Sequence, residues 1–252
     1  MPRGKSKLIW AWPLNKVTMK QKKLLLFGGT GAIGSVIANY FRQEDWLVLI
    51  VTRQSTYVPQ YIHWNPLDST DATGLAQVLE HVPFDAVCWA QGANGKDSVY
   101  HFDANQHRAL YEANVLFILS SIGALLQADT LTKPARLCII SSIWQNLARQ
   151  DKLSYCVTKA ALQGLVLSAA NDLGRDGHLI NAVLPGVTDT PMTHRNLSAT
   201  QIETISNATQ FHRLPTLEDV ASAVFSLCSP KNTGVTGQFV AVDLGYSHGR
   251  VI

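Results

Sequence analysis

The sequence predicts an α/β fold in which a doubly wound parallel sheet forms the middle of a three-layer α/β/α single domain. Two observations support this prediction. Short, unbroken runs of Val, Ile and Leu alternate with longer helical patterns from residue 24 onward, and such runs are typical of parallel strands covered on both faces. A chain of 252 residues, 46% of them hydrophobic, also has the length and composition for one substantial core.

The individual elements follow from these patterns in chain order. Strands are predicted at the apolar runs 24–28, 46–52, 84–90, 135–141, 178–184 and 237–243. Helices are predicted between them, at 32–43, 70–81, 108–127, 153–173 and 217–228. The stretch 188–214 is polar and irregular, and a loop of this length in a compact domain is usually a lid.

Charge is unevenly distributed along the chain. The formal net charge is +3, but residues 1–23 hold seven of the 21 basic side chains and no acidic one. The remaining residues carry 14 basic against 18 acidic groups and are mildly acidic. This balance argues against a nucleic-acid-binding face on the domain.

Residues 1–21 are expected to be a basic, disordered N-terminal extension of a catalytic domain at 22–252, with Met19 as a natural-looking domain start. Two alternatives stay open: a secretory signal at 8–14, and a membrane or polyanion contact through Trp10 and Trp12. No uncharged apolar run reaches the roughly 18 residues of a membrane span. The four cysteines are widely spaced and the histidines show no metal-ligand spacing, which predicts no metal site and favours a reducing, cytoplasmic location.

A glycine-rich turn follows the first predicted strand. The strand end Leu24-Leu25-Leu26-Phe27 runs into Gly28-Gly29-Thr30-Gly31-Ala32-Ile33-Gly34, and an amphipathic helix follows. Glycines let backbone amides approach a pyrophosphate, and the helix N-terminus supplies partial positive charge. This context predicts dinucleotide binding in a Rossmann fold. The residues predicted to contact the cofactor here are Gly28, Thr30, Gly31, Ala32, Ile33 and Gly34.

The end of the second predicted strand indicates which dinucleotide is bound. An NAD site places a carboxylate there to accept hydrogen bonds from the adenosine ribose. This chain has Thr52 followed by Arg53 instead. A 2′-phosphate would meet a hydroxyl and a guanidinium rather than a repelling charge, so the pair predicts NADP(H).

Tyr155 and Lys159 lie four residues apart within a predicted helix. Residues i and i+4 share a helix face, so the phenol and the ammonium can enter one pocket. An unperturbed phenol has a pKa of about 10. A neighbouring ammonium is expected to lower the pKa of Tyr155 and to make it useful in acid–base chemistry.

Several motifs in chain order resemble the short-chain dehydrogenase/reductase family over residues 22–247. The glycine motif of that family resembles residues 27–34, its Asn-Asn-Ala-Gly strand end resembles Trp89-Ala90-Gln91-Gly92, and its Asn-Ala-Val-x-Pro-Gly run occurs at 181–186. The family's helical Asn falls on Asn114, its Ser on Ser142, and its Tyr-x-x-x-Lys on Tyr155 and Lys159.

Two departures from the family pattern concern the phosphate loop. Phe27 replaces a threonine, and Trp89 and Ala90 stand where relatives have an asparagine pair. In relatives these polar side chains brace the loop against the fourth strand, so that brace is expected to be lost. The contacts of Ala90 and Gly92 to a cofactor can survive because main chain makes them.

The resemblance implies a catalytic set of Asn114, Ser142, Tyr155 and Lys159. Ser142, rather than Ser141, has the family's spacing to Tyr155 and would orient the substrate oxygen, while Tyr155 gives its proton as hydride arrives. Lys159 and Tyr155 would also bind the nicotinamide ribose, and Asn114 would anchor a water that relays protons. The nicotinamide carboxamide is expected to contact Pro185, Gly186, Val187 and Thr188.

The implied function is NADP(H)-dependent hydride transfer between the nicotinamide and a carbonyl or secondary alcohol substrate. A narrower alternative is a 3-oxoacyl-carrier-protein reductase, which would need a basic patch for an acidic carrier; Arg108, Arg149 and Arg195 are the candidates. A third hypothesis is a dinucleotide-sensing regulatory protein without turnover. Family members of that kind commonly lack the Tyr/Lys pair, which this chain keeps.

Substrate recognition is expected at Ala93–Phe102, at Ile143–Leu153 and in the 188–214 lid, which contains Met192, His194 and Phe211. Trp144 can be either a pocket wall or a packing aromatic. Relatives of this length usually pack as tetramers through helices corresponding to 108–127 and 153–173 and the closing strand. A homo-oligomer, either tetramer or dimer, is therefore expected.

Overall fold

A computed structural model describes residues 20–53, 58–68 and 70–249 of the chain. In this part, the sheet consists of β1 (Lys23–Phe27), β2 (Leu47–Thr52), β3 (Tyr61–His63), β4 (Phe84–Trp89), β5 (Leu131–Ile140), β6 (Leu179–Pro185) and β7 (Phe239–Val242). Their order is β3-β2-β1-β4-β5-β6-β7, and every neighbouring pair is parallel. The predicted doubly wound α/β sheet is confirmed. The strand order reverses between β1 and β4, where such sheets bind dinucleotides.

Helices cover both faces of the sheet. They are α1 (Ala32–Gln43), α2 (Ala72–Leu79), α3 (Ala104–Tyr111), α4 (Phe117–Gln127), α5 (Leu153–Leu173), α6 (Pro191–Asn196), α7 (Ala199–Asn207) and α8 (Leu217–Cys228). A π-helical turn, Glu112–Leu116, joins α3 to α4. Side chains of α1 and α8 form the core on one face, and those of α4 and α5 form the core on the other. This is the expected three-layer arrangement.

Three helices, α1, α5 and α8, have the bounds that the apolar periodicity predicts. The stretch 188–214 is not irregular as predicted, because it contains α6 and α7; its role as a lid stays a prediction. Thr190 caps α6, and Ser198 forms a capping box with Gln201 at the start of α7. Such side-chain caps satisfy the first backbone amides of short polar helices that lack an apolar stripe.

Two further predictions need correction. The helix expected at 108–127 begins earlier, at Ala104, because the Asp103 carboxylate accepts from the Asn105 and Gln106 amides. The short strand β3 was not predicted, since three residues are too few to show a period. Residues 1–19 of the predicted extension at 1–21 lie outside the described residues. The side chain of Met192, a residue of the predicted lid, also lies outside them.

Two helical stretches, Ala104–Gln127 and Leu153–Asp176, are long and apolar enough to cross a membrane by length and composition alone. Both stretches contribute buried side chains to the core beside the sheet, among them Val115, Ile118, Leu162 and Val166. Packing against the sheet accounts for part of their apolar character, and both stretches also carry exposed apolar side chains.

The cysteines of the described chain are free thiols. Cys88, Cys138 and Cys228 are fully buried. Cys88 on β4 lies opposite Cys138 on β5, and the Cys138 thiol lies near those of the other two. These three residues pack as small buried side chains.

Candidate active site

The phosphate loop is pressed against the end of β4. Gly28 has a φ of +74°, and a Cβ on it would lie 2.5 Å from the Gln91 amide nitrogen. A Cβ on Gly34 would lie 2.2 Å from the Gly28 carbonyl oxygen. Both positions therefore require glycine, one for backbone conformation and close approach, the other for the approach of α1 to the loop.

The N-terminus of α1 has the features of an anion site. Its N-cap, Gly31, provides no side-chain hydrogen bond to the first turn, and Thr30, Gly31 and Ala32 are exposed. Unpaired amides at a helix N-terminus attract phosphate. The loop therefore fits the pyrophosphate of a dinucleotide, with Ile33 half-buried behind it.

Aromatic packing braces the phosphate loop where relatives use polar side chains, which corrects the expectation that the brace is lost. The rings of Phe27 and Trp89 stack with centres 5.7 Å apart and planes 4° apart. Phe117 meets Phe27 edge-on at 5.7 Å. The indole nitrogen of Trp89 donates to Ser121 Oγ at 2.8 Å, so the buried polar atom is satisfied. The two departures from the family pattern are thus one coordinated change across β1 and β4.

Asn114 ties three segments together from within the π-helical turn. Its Nδ2 donates to the Ala93 carbonyl oxygen and to Thr158 Oγ1, both at 3.0 Å. Its Oδ1 accepts from the Ala93 amide at 2.7 Å. A Cβ on Gly92 would lie 3.1 Å from Asn114 Oδ1 and 3.7 Å from Lys159 Nζ. Gly92 is therefore the point where β4, the π turn and α5 converge.

The Ser142 hydroxyl lies near the Tyr155 phenol, where it acts to lower the pKa of the phenol. Ser142 follows β5 and is 6% exposed, and its hydroxyl accepts from the Trp144 amide at 3.3 Å. Ser141 instead donates to Gln145 Oε1 at 2.8 Å. Of the two serines, Ser142 is thus the one that lies near the phenol.

The expected lowering of the Tyr155 pKa is not found. Burial raises the pKa of Tyr155 above its ordinary value, and the nearby Ser142 hydroxyl only partly opposes this. Lys159 Nζ lies 5.7 Å from the centre of the Tyr155 ring and donates to the Ile140 carbonyl oxygen at 3.1 Å. Tyr155 is consequently a neutral phenol at neutral pH, with a proton available to donate.

Burial also acts on Lys159, which is 5% exposed. Removal from water lowers the pKa of its ammonium from 10.5 to about 8, because a charged group is poorly solvated inside the protein. Below pH 8 the ammonium is charged in both the folded and the unfolded chain, so folding bears the full cost of burying the charge. Between the folded and unfolded pKa values, this cost falls as pH rises.

Lys159→Met is expected to raise the free energy of unfolding at pH 7 by up to roughly 3 kcal/mol, since a shift from 10.5 to about 8 corresponds to that order. The advantage of the variant should shrink as pH approaches 10. Denaturant unfolding at pH 7 and pH 9.5 measures both effects. Lys231→Met, at an exposed position, is the control and should show no pH-dependent difference. A Lys159→Met variant that is less stable than wild type at pH 7 would contradict the lowered pKa assigned to Lys159.

The remaining predicted cofactor residues lie at the same edge of the sheet. Thr52 ends β2 and is buried, and Arg53 follows it with an exposed side chain.

Pro185 ends β6, and the Gly186 amide donates to the Val242 carbonyl oxygen at 2.9 Å. The side chains after it differ in exposure: Val187 is half-buried and Thr188 is buried. Ala90 likewise directly follows β4, with its amide bonded to the Phe27 carbonyl oxygen at 2.9 Å.

The regions predicted to recognise substrate contain several exposed apolar side chains. Tyr100 is 89% exposed, and Phe102 and Phe211 are also exposed. The structure supports a packing role for Trp144, and its role as a pocket wall stays a prediction. Trp144 is half-exposed and packs partly against the core, while the Arg149 guanidinium lies 5.9 Å from its ring centre. His194 pairs with Asp189 on the surface at 2.6 Å.

Sequence reasoning missed one polar group beside this site. Asp97, His107 and Ser154 meet through hydrogen bonds. The adjacency of Ser154 to Tyr155 was the available signal, but nothing in the sequence pairs it with residues 47 and 57 positions away.

The comparisons with known proteins agree with this architecture. A family model described as enoyl-(acyl carrier protein) reductase matches residues 30–247. The chain therefore belongs to the short-chain dehydrogenase/reductase family, whose members are oxidoreductases that act on CH–OH or C=O groups with a nicotinamide cofactor.

Particular relatives cover most of the chain at low identity. Nodulation protein G of Rhizobium meliloti is 25% identical over 240 residues, covering 89% of this chain and 96% of that protein. The 3-oxoacyl-[acyl-carrier-protein] reductase FabG of Salmonella typhimurium is 26% identical over 184 residues, covering 71% and 75%. A gluconate 5-dehydrogenase from Burkholderia cenocepacia, solved with NADP and tartrate, shares the fold with a TM-score of 0.82 at 18% identity, covering 90% and 96%.

Proposed function

We propose that this protein is an NADP(H)-dependent reductase or dehydrogenase that transfers hydride between the nicotinamide and a carbonyl or secondary alcohol. The observation that supports this most directly is the placement of the buried Ser142 hydroxyl beside the half-buried Tyr155 phenol, with Lys159 close to the tyrosine ring. Ser142 comes shortly after the carboxyl end of β5, and Tyr155 lies near it on α5. This places both residues close to the crevice where parallel sheets bind dinucleotides.

In the reductive direction, the residues of the site would hold and protonate the substrate oxygen. The Ser142 hydroxyl orients that oxygen, and the neutral Tyr155 phenol donates its proton to it. When bound, the cofactor supplies the hydride, while the protein supplies position and electrostatics. Lys159 places a positive charge beside the tyrosine, which favours the phenolate left after proton donation. Asn114 holds Ala93, the neighbour of Gly92, and Thr158 of α5 in place through its three hydrogen bonds.

The same chain segments would bind the cofactor. Gly28 and the first turn of α1 would hold the pyrophosphate, and Pro185–Thr188 would contact the nicotinamide. Tyr155 and Lys159 would contact its ribose. The gluconate 5-dehydrogenase that shares this fold was solved with NADP, which supports a phosphorylated dinucleotide here. The absence of a carboxylate at Thr52 supports the same choice.

Arg53→Gln is expected to weaken NADPH binding by about tenfold, because a charge-assisted hydrogen bond to phosphate is worth about 1.5–3 kcal/mol. NADH binding should be unchanged, since it lacks the 2′-phosphate. Fluorescence titration of both cofactors measures the two dissociation constants. Arg175→Gln removes an arginine of 86% side-chain exposure near the opposite end of the sheet and serves as control. An equal loss of affinity for NADPH and for NADH would refute a contact between Arg53 and the 2′-phosphate.

The proposed function is tested by following NADPH consumption with a panel of ketones and a 3-oxoacyl thioester, with NADH in parallel. Turnover with NADPH on at least one carbonyl compound is the expected result. Binding of NADPH without turnover on any carbonyl compound, in protein whose fold is intact, would favour the sensor hypothesis instead.

A 3-oxoacyl-carrier-protein reductase is the second candidate, and a group of cations favours it. Lys152 donates to Asn94 Oδ1 and to the Gly95 carbonyl oxygen, both at 2.9 Å. Burial lowers the pKa of Lys152, and the positive charges of Arg149 and Lys96 lower it further. Three cations therefore gather near the start of α5, where an acidic carrier could bind. The relative FabG of Salmonella typhimurium is itself named a 3-oxoacyl-[acyl-carrier-protein] reductase, which supports the same candidate.

This candidate predicts a preference for the carrier over a small thioester. The KM for a 3-oxoacyl group should be lower on acyl carrier protein than on N-acetylcysteamine. Arg149→Gln should raise the KM only for the carrier-bound form. Arg108 lies on α3 and donates to Asn105 Oδ1, so Arg108→Gln tests whether the predicted patch extends there. Equal KM values for both thioesters would exclude the carrier role.

We also propose self-association, as a tetramer or dimer. The helical segments at 112–127 and 153–173 expose Leu116, Leu119, Val157 and Leu167, and apolar helix faces of this kind are buried in assemblies. Light scattering should give a multiple of the 27.6 kDa chain mass; a mass of one chain would rule assembly out. The free thiols support a reducing, cytoplasmic location.

A further inference from the structure

Ser154, the residue next to Tyr155, is held by a group of polar side chains that the proposed mechanism does not use. Ser154 is fully buried and Asp97 is 5% exposed. One Asp97 oxygen accepts from the Ser154 amide at 3.0 Å, and the other accepts from the Ser154 hydroxyl. The third member is His107, whose Nδ1 lies 2.9 Å from Ser154 Oγ.

The chemistry of these groups fixes the direction of each hydrogen bond. A carboxylate only accepts, so the single hydroxyl hydrogen of Ser154 goes to Asp97. Ser154 Oγ must then accept from His107, which therefore carries a hydrogen on Nδ1. The order of donation is His107 to Ser154 to Asp97.

This order excludes a hydrolytic triad, although the three residue types match one. A nucleophilic serine must give its proton to the histidine, and the carboxylate must orient that histidine. Here the serine donates to the carboxylate and accepts from the histidine. Its hydroxyl is also fully enclosed, with no access for a substrate.

The group instead forms a second tie between the loop 93–97 and α5, the two segments that Asn114 also joins, and its third member lies on α3 rather than in the π-helical turn. In the Asn114 tie, the partners are Ala93 on the loop and Thr158 on α5. In the second tie, the loop residue is Asp97, the α5 residue is Ser154 and the helical residue is His107 on α3. Ser154 and Thr158 are one helical turn apart on the same face. The loop 93–97 is thus fastened at both ends along α5.

Backbone contacts strengthen the second tie at the start of α5. The Asp97 amide donates to the Asp151 carbonyl oxygen, and the Leu153 amide donates to the Asp97 carbonyl oxygen, both at 3.3 Å. The Asp97 carboxylate also caps an early amide of α5, which lacks a cap from its own N-cap residue Lys152. Asp97 therefore sets where the helix that carries Tyr155 begins.

We propose that Asp97, Ser154 and His107 are positioning residues, which hold the first turn of α5 so that the Tyr155 phenol meets Ser142 and the substrate oxygen. The proposal rests on the proposed function. A displacement of about 1 Å at a reacting group can lower a rate roughly 100-fold. The tie therefore acts on the chemical step, and substrate and cofactor affinity depend on other residues.

The test compares disruptive variants with a conservative one. Asp97→Ala and Ser154→Ala should lower kcat roughly 10- to 100-fold, with KM and the NADPH dissociation constant within about twofold of wild type. Asp97→Asn should restore most of kcat. Its carbonyl oxygen still accepts from the Ser154 amide, and its NH₂ donates to the Ser154 hydroxyl, which then donates to His107 in its other tautomer.

Thr130→Val is the matched control, because Thr130 is fully buried and its hydroxyl donates to the Leu125 carbonyl oxygen at 3.0 Å, outside the tie. It should lower the thermal midpoint without changing kcat. An unchanged kcat in Asp97→Ala and Ser154→Ala, or a loss as large in Asp97→Asn as in Asp97→Ala, overturns the proposal. The second result would assign the effect to the charge of Asp97 rather than to position.

Amide hydrogen exchange separates this proposal from the proposed function. In Asp97→Ala, the amides of residues 154–158 should exchange faster than in wild type or in Thr130→Val. If wild type turns over no carbonyl compound, the proposed function fails, and the exchange rates alone decide whether the tie holds the helix. Unchanged exchange in Asp97→Ala overturns the tie as well.

Discussion

Tyr155→Phe is expected to lower turnover by about 10²- to 10⁴-fold, the range that a positioned general acid contributes. The substitution removes only the hydroxyl, which lies near Ser142 and carries the proton that the substrate oxygen would receive. Phenylalanine fits the same space, so the fold should persist. Because the lost interaction forms with the reacting oxygen, kcat should fall far more than NADPH affinity.

Steady-state turnover of the best ketone from the panel and fluorescence titration with NADPH measure the two quantities. Tyr40→Phe is the matched control. Tyr40 is a half-buried residue on α1 whose ring packs against Phe225, and its loss of hydroxyl should leave kcat unchanged. Near-normal turnover in Tyr155→Phe would show that another group donates the proton, and the proposed mechanism would be wrong.

Acid–base behaviour of Tyr155 could not be predicted from spacing alone. The i, i+4 relation places Lys159 on the same helix face, and the structure shows the ammonium 5.7 Å from the tyrosine ring. Lys159, however, is buried and Tyr155 is half-buried by the surrounding chain, which the spacing does not reveal. Burial dominates both titrations: it raises the pKa of Tyr155 and lowers that of Lys159.

The elements that were predicted well have strong local patterns. The helices α1 and α8 have apolar residues at helical spacing, α5 is a long run of 21 residues that contains no proline, and α8 has a Thr216–Asp219 capping box. In contrast, α6 has only six residues, and α7 exposes most of its residues and has only two large apolar side chains, Ile202 and Ile205, so a search for an apolar stripe does not find them. Ser198 and Gln201 were the visible signal for α7, because they form a capping box.

Long-range pairs explain the rest of what the sequence left unpredicted. Phe27 and Trp89 each look like the loss of a polar brace when considered alone. Only their stacking across adjacent strands shows that one change compensates for the other. Asp97 and Ser154 are likewise 57 residues apart, and no local pattern connects them. Single-sequence reasoning finds motifs along the chain, and contacts between distant motifs require the fold.

Gly34→Ala is expected to disrupt cofactor binding and to destabilise the domain. The added methyl group would lie 2.2 Å from the Gly28 carbonyl oxygen and 2.8 Å from Gly29 Cα. These are backbone atoms, which cannot move aside as a flexible side chain can. Gly28 is itself in close contact with the end of β4, so the loop cannot shift away from the methyl group without changing that contact. Overpacking of this kind costs about 1–3 kcal/mol, and a displaced loop should weaken NADPH binding by more than about tenfold.

Thermal unfolding and NADPH titration of Gly34→Ala measure the two effects, with Gly164→Ala as control. Gly164 also lies within a helix, α5, but a Cβ there would meet nothing within 4 Å. Alanine is a better helix former than glycine by about 1 kcal/mol, so the control should be as stable as wild type or more stable. The two variants make the same chemical change, and only the space around the new methyl group differs. Equal midpoints and equal NADPH affinities in the two variants would show that the phosphate loop is not packed as described.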